Sequence, residues 1–251
     1  MIFYKRILGF VLALIFPILI EISYYYPKFF NYGLVLSLLL LVFYFWKIKN
    51  RFIKNTEILS YFGICLVFLA SLWCFFVVCS NLIIRVVISV LSVYFFIVLF
   101  DSIFKKIYEN REITSDIIKN IDLLCFLFYT FFVFYVFVFI RANLITSSIF
   151  IFFISLICLN IRLYWEKITW KNNKLLLILS SIVFFEIYLV MSLLPFNIYF
   201  LTFITWLWYY MVLEFLLDEL KGVSCFKRRL PLFIIFISVL VVAFTTSIIK
   251  Y

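Results

Sequence analysis

Glu21, Glu186, Arg85 and Arg141 are the residues of this chain with the most chemistry to offer, because each stands in or at the edge of a long apolar run. An ionisable side chain inside such a run costs roughly 2.5–3.5 kcal/mol on membrane-insertion scales, so each asks for a partner. Two carboxylates and two guanidiniums could line a charged, outward-opening pocket that binds a polar substrate or a headgroup. They could equally be ion pairs between helices, with both arginines reaching toward the interface. Glu186 is expected to face the helix bundle, sharing a polar patch with Glu21 or one of the arginines. A third carboxylate, Glu214, sits a turn from Asp218 and Glu219 near the end of its run, which favours a solvated position. Asn81, Asn143 and Asn197 fall at the same level as the arginines.

Much other chemistry is excluded by composition. There are 0 His among 251 residues, so imidazole bases, His-ligated metals and Ser-His or Cys-His pairs are out. With Gly at 4, no Gly-rich phosphate loop can be built. The 6 Cys form no CxxC pair, and five of them lie inside apolar runs as packing residues. No paired DxxxD motif, HExxH or large outer loop is present. No catalytic residue, metal site or cofactor is therefore expected.

The elements that must position these side chains follow from hydropathy. Hydrophobic residues make up 68% of the chain and charged ones 14%, and the mean hydropathy is +1.25. Soluble domains carry about 25% charge. A water-soluble globule of this size could not cover its surface with so few polar groups. Apolar runs near the length needed to cross a bilayer, about 20 residues, occur at 7–26, 29–46, 58–80, 82–100, 123–140, 144–161, 175–194, 198–217 and 230–249. Their length and lack of a polar alternate face exclude barrel strands. The expectation is an all-α polytopic membrane helix bundle of nine spans, a single transmembrane domain over 1–251. Lys5 and Arg6 precede the first run, but the bulky ISYYYPKFF that follows has no small-residue cleavage site, so the run reads as a retained helix.

Orientation follows from the cations. Lys5 and Arg6, then Lys47, Lys49, Arg51 and Lys54, then Lys105, Lys106, Arg111 and Lys119, then Arg162, Lys167, Lys171 and Lys174, then Lys221, Lys227, Arg228 and Arg229 fall on one side. Only Lys28, Arg85, Arg141 and Lys250 fall on the other. Positive charge is retained in the cytoplasm. The expected topology has the N-terminus inside and the C-terminus outside, in a plasma membrane, with a bacterial source expected. The net charge of +10 places the basic connections against anionic lipid headgroups. The expected partners are those membrane lipids and other membrane proteins; no domain exists to bind nucleic acid. The connection 101–122 spaces Ile103, Phe104, Ile107, Ile113, Ile117, Ile118 and Ile121 at helical intervals between charges, which predicts an amphipathic helix on the membrane surface.

The stretch FFEIYLVMSLLPFNIYFLTFITWLWYYMVLEF, 184–215, sets a Glu in an aromatic helix, then a Leu-Pro turn, then a Thr- and aromatic-rich helix. It resembles an uncharacterised family of multi-pass membrane proteins from small-genome candidate-phyla bacteria, known only as a domain of unknown function. Glu186 and Pro195 are the matched positions. The resemblance implies the multi-pass fold and no particular activity. The function expected from the residues is a membrane scaffold or accessory subunit. The alternatives are a carrier or flippase-like protein with its site around Glu186, and, third, a lipid-modifying enzyme.

Overall fold

The structure, a computed structural model, describes residues 2–49, 55–109, 115–168, 170–194, 196–221, 234 and 237–238. Among them are eight helices long and apolar enough to cross a membrane. They are α1 (Ile2–Tyr25), α2 (Phe30–Ile48), α3 (Asn55–Val78), α4 (Leu82–Glu109), α5 (Ser115–Phe139), α6 (Leu144–Trp165), α7 (Trp170–Ser192) and α8 (Ile198–Leu220). The chain is an all-α, multi-pass membrane protein. The ninth run, 230–249, lies outside the described residues save 234, 237 and 238, which are helical.

Helix starts are set by chemistry that is local. Asn81 accepts from the Ile84 amide at 3.2 Å, Asn143 from Ile145 at 2.9 Å and Asn197 from Tyr199 at 3.1 Å. Each asparagine thus satisfies an amide that the first turn of α4, α6 or α8 would leave unpaired. Each stands where it does because it caps its own helix. At the end of α5, Arg141 adopts φ 57 while the Ala142 amide reaches back to the Val136 carbonyl at 3.4 Å. That is the left-handed cap residue of a helix C-terminus.

Several helices run further than hydropathy indicated. α4 continues to Glu109 and α5 begins at Ser115, so 101–122 is not a separate helix on the membrane surface. Ile103, Phe104, Ile107, Ile118 and Ile121 are buried, as inward faces of these two helices. Ile113 lies outside the described residues.

Two compact units make up the chain, Met1–Cys125 and Phe126–Tyr251, with the boundary inside α5. In the first, α1 packs against α2, α3 and α4. Phe16 of α1, Tyr44 of α2, Phe68 of α3 and Phe96 and Phe100 of α4 meet at its centre. The Phe16–Phe96 centroids are 5.2 Å apart, Phe68–Phe96 4.8 Å and Tyr44–Phe100 4.6 Å. In the second, α7 packs against α6 and α8. Phe126 of α5 stacks on Tyr209 of α8 at 3.9 Å, and Phe184 of α7 closes on Tyr209 at 5.3 Å. Lipid tails are as apolar as Phe, so burial alone gives helices no reason to associate. Interlocking rings supply it, each pair contributing about 0.5–1.5 kcal/mol beyond area. Several buried hydroxyls are absorbed by the helices that carry them: Ser71, Ser148, Ser181 and Thr205 each donate to a carbonyl three or four residues back.

Small residues matter where helices cross closely. A methyl group added at Gly33 of α2 would collide with the Ser23 hydroxyl of α1 and come within 3.0 Å of the Trp73 ring of α3. Gly63 of α3 has nothing within 4 Å. Gly33→Ala is therefore expected to cost about 1–3 kcal/mol by overpacking. Gly63→Ala is expected to gain up to about 1 kcal/mol from helix propensity. Unfolding midpoints of the two variants in detergent should move in opposite directions.

Candidate functional site

α1 and α4 run side by side in the first unit, and the end of α1 lies level with the start of α4. Glu21, Tyr24 and Tyr25 are spaced by three and four residues, so they share one side of the last turn of α1. Arg85 and Ser89 are four apart on the first turns of α4 and meet them. Arg85 Nη1 lies 3.8 Å from Glu21 Oε2, Arg85 Nη2 donates to the Tyr25 hydroxyl at 3.3 Å, and Ser89 Oγ donates to Glu21 Oε1 at 3.2 Å. The guanidinium also sits over the Tyr24 ring at 3.5 Å and near the Tyr25 ring at 5.2 Å.

Burial in this cluster is unequal. The Arg85 side chain is 3% exposed, that of Glu21 24%. Arg85 is not snorkelling; it is enclosed, with a cation–π face in place of water. At 3.8 Å the pair is at the outer limit of an ion pair, and Arg85 Nε and Nη1 make no hydrogen bond with the described residues. Two cavities flank the cluster. One of about 460 Å³ is lined by Ser23, Tyr24, Asn31, Trp73 and apolar neighbours. The other, of about 590 Å³, is a groove lined by Glu21, Tyr25, Tyr26 and Ser89 at one end and by Leu14, Pro17, Ile18 and Val93 at the other.

No family model, curated protein or solved structure matches this chain. Its chemistry is read from its own side chains alone. No group of three or more Cys, Asp or Glu suited to a metal ion occurs among the described residues. Cys65, Cys79, Cys125 and Cys158 are buried, and no disulfide joins the described cysteines.

The sequence singled out four site residues, and the structure brings two of them together. Glu186 and Arg141 belong to the second unit. The expectation that Glu186 turns into the bundle is overturned. The buried face of α7 runs through Leu177, Ser181, Phe184, Tyr188 and Met191, and Glu186 is two residues from Phe184, so it points the opposite way. It is exposed and makes no hydrogen bond or ion pair with any described residue. Arg141 is exposed too, its backbone serving as the α5 cap. Pro195 lies outside the described residues.

Other charged groups escaped the sequence reading. Asp101 of α4 accepts from Arg6 at 2.7 Å and from Lys105 at 2.6 Å. Lys5 donates to the Tyr108 hydroxyl at 2.8 Å, which donates in turn to the Ile48 carbonyl at 2.9 Å. In the second unit Glu166 takes both Arg162, at 2.5 Å, and Lys221, at 2.7 Å, tying the end of α6 to the end of α8. Asp122, 3% exposed, is enclosed, and so is Glu214, 6% exposed, against the solvated position that its neighbours Asp218 and Glu219 led the sequence to suggest. The missed signal was the four-residue spacing of Arg162 and Glu166, and of Asp101 and Lys105, which marks pairs on one helix face.

Proposed function

We propose that this chain is a non-catalytic component of a membrane assembly, a scaffold or accessory subunit. It docks onto a transmembrane helix of a partner protein through the outer face of α7. One observation carries this reading: Glu186 is exposed on a helix inside the apolar span Asn173–Ser192, about 9 Å from its end, with nothing described to pair with it. Leu175, Leu179, Ile182, Val190 and Leu193 are exposed around it. With Glu186 counted among them, their intervals of four, three, four, four and three residues form one continuous seam, aliphatic but for Glu186 near its centre. A seam of this kind interlocks with a second helix, and a polar group at its centre fixes partner and register. The occupant is a partner helix with a basic or amide side chain at the level of Glu186, since a carboxylate asks for a donor.

Ion pairing elsewhere supports a structural role. Glu21, Asp101 and Glu166 each lie against a cation of their own unit. A carrier would place its site beside a broken helix, whereas α1 to α8 are continuous. Within the same proposal, the chain has nine spans with its N-terminus in the bacterial cytoplasm and its C-terminus outside, a reading supported by the distribution of Lys and Arg. Kinship with the uncharacterised candidate-phyla family belongs to the proposal as well and adds no activity. Reporters fused after Asn50, Arg111, Asn172 or Phe226 are expected to read cytoplasmic, and those at Tyr26, Asn143, Asn197 or Tyr251 external. A cytoplasmic reading at Tyr251 removes the odd span count.

The docking reading is tested by a photoreactive residue at Leu179 or Val190 in intact membranes, with Leu39 or Val42 of α2 as exposed controls. The expected result is a protein adduct from α7 positions alone, whose crosslinked peptide is a transmembrane helix bearing Lys, Arg, Asn or Gln. Adducts to lipid only, or equal protein adducts from α2, overturn it. A peptide from this same chain identifies the partner as a second copy.

A further inference from the structure

We infer that the groove between α1 and α4 binds a phospholipid whose headgroup carries a primary ammonium, with that ammonium on Glu21. This rests on the first unit alone and is independent of the docking role of α7. The groove is about 590 Å³ and spans Leu14 to Tyr26, about 18 Å along α1. Its walls change character along that length. Leu14 and Ile18 are exposed aliphatic side chains, joined by Pro17 and Val93, whereas Glu21, Ser89 and Tyr25 gather at the end where α1 finishes and α4 begins. An amphiphile in a bilayer has the same order, with apolar chains inward and a polar head at the surface.

The polar end selects the head. Every group that Glu21, Tyr25, Tyr26 and Ser89 turn to the groove is a carboxylate, a hydroxyl or an aromatic ring, a set suited to a cation and hostile to an anion. Glu21 has capacity to spare. A carboxylate offers about four lone-pair sites, and here one oxygen takes a Ser89 bond of 3.2 Å while the other faces Arg85 at 3.8 Å. Enclosed behind it between two tyrosines, Arg85 holds the carboxylate in place without using it up. A primary ammonium brings three donors to those sites; a trimethylated one brings none. Lys28 is exposed on the turn after Tyr26, a cation at the same end for the lipid phosphate.

The test uses the full chain in detergent with an equimolar mixture of ethanolamine, choline and glycerol phospholipids of matched chains, read by native mass spectrometry of the lipids retained. The ethanolamine lipid is expected to be retained about tenfold over either other lipid, the equivalent of one charge-assisted hydrogen bond. Glu21→Gln keeps size and the Ser89 bond, and is expected to bring the three lipids to parity. Leu14→Trp fills the apolar end of the groove, about 10 Å along α1 from Glu21, and is expected to lower retention of all three. Soluble glycerophosphoethanolamine at the same concentration is expected not to compete, which separates a lipid site from one for the free headgroup. Equal retention of the three lipids by the unaltered chain, or an unchanged preference in Glu21→Gln with native helix content, overturns the inference. So does Leu14→Trp retaining lipid as before, a readout that stands even where Glu21→Gln fails to fold.

Discussion

Glu21→Leu lowers the stability of the purified protein by about 3–5 kcal/mol, the cost of stranding a buried charge. Arg85→Met costs less, about 1–3 kcal/mol, the scale for leaving one polar group unsatisfied. The inequality comes from position. Arg85 is 3% exposed, so without Glu21 its charge has the Tyr25 hydroxyl and the faces of Tyr24 and Tyr25 against it and no carboxylate. Glu21 is 24% exposed and keeps its Ser89 bond, so without Arg85 it turns toward the groove and the headgroup region. The double variant Glu21→Leu/Arg85→Met is expected to be more stable than Glu21→Leu alone, because removing both charges removes the desolvation cost with the attraction. Unfolding of the four proteins in mixed micelles gives the cycle. Additive losses would mean that the two side chains do not interact.

Glu186→Leu has the opposite profile. It is expected to leave the unfolding midpoint of the isolated protein unchanged or raised. No described residue loses a partner, and a carboxylate that costs roughly 2.5–3.5 kcal/mol in the apolar span is gone. In intact membranes the same change is expected to abolish the protein adduct from Leu179 and Val190, because the partner's donor is left facing a leucine. Glu186→Gln keeps a hydrogen-bonding group and is expected to retain part of the adduct. Destabilised isolated Glu186→Leu would show that Glu186 serves its own bundle and would defeat the docking reading. The separation of fold from assembly is what makes this variant decisive: a side chain that serves its own bundle cannot be removed without loss, and one that serves a neighbour can.

The contrast between Glu21 and Glu186 shows where sequence reasoning stops. Both are legible as carboxylates in apolar runs, and the expectation puts Glu186 on a polar patch with Glu21 or one of the arginines. Glu21 meets Arg85 although they are 64 residues apart, because α1 and α4 are neighbours. Nothing in either helix announces that adjacency. Glu186 faces away because Leu177, Phe184 and Tyr188 form the packed side of α7 while Leu179, Ile182 and Val190 form the exposed side. In water the two sides would differ in polarity and the facing could be read from periodicity. In lipid both are apolar, and only an aromatic side against an aliphatic side distinguishes them.

The stretch 101–122 fails for a related reason. Isoleucines at helical spacing between charges are the same pattern whether the apolar face meets headgroups or protein. The structure uses Ile103 and Ile107 to lengthen α4, and Ile118 and Ile121 to begin α5. What the sequence determined by itself was the class of molecule: continuous apolar runs must be helices, because backbone amides and carbonyls have no other partner in a bilayer. It also fixed where α4, α6 and α8 begin, because an asparagine caps the turn beside it. Tertiary structure alone decided which charges meet and which are left facing outward, because those depend on which helices lie side by side, and a medium as apolar as the side chains leaves no polarity contrast along the chain to record it.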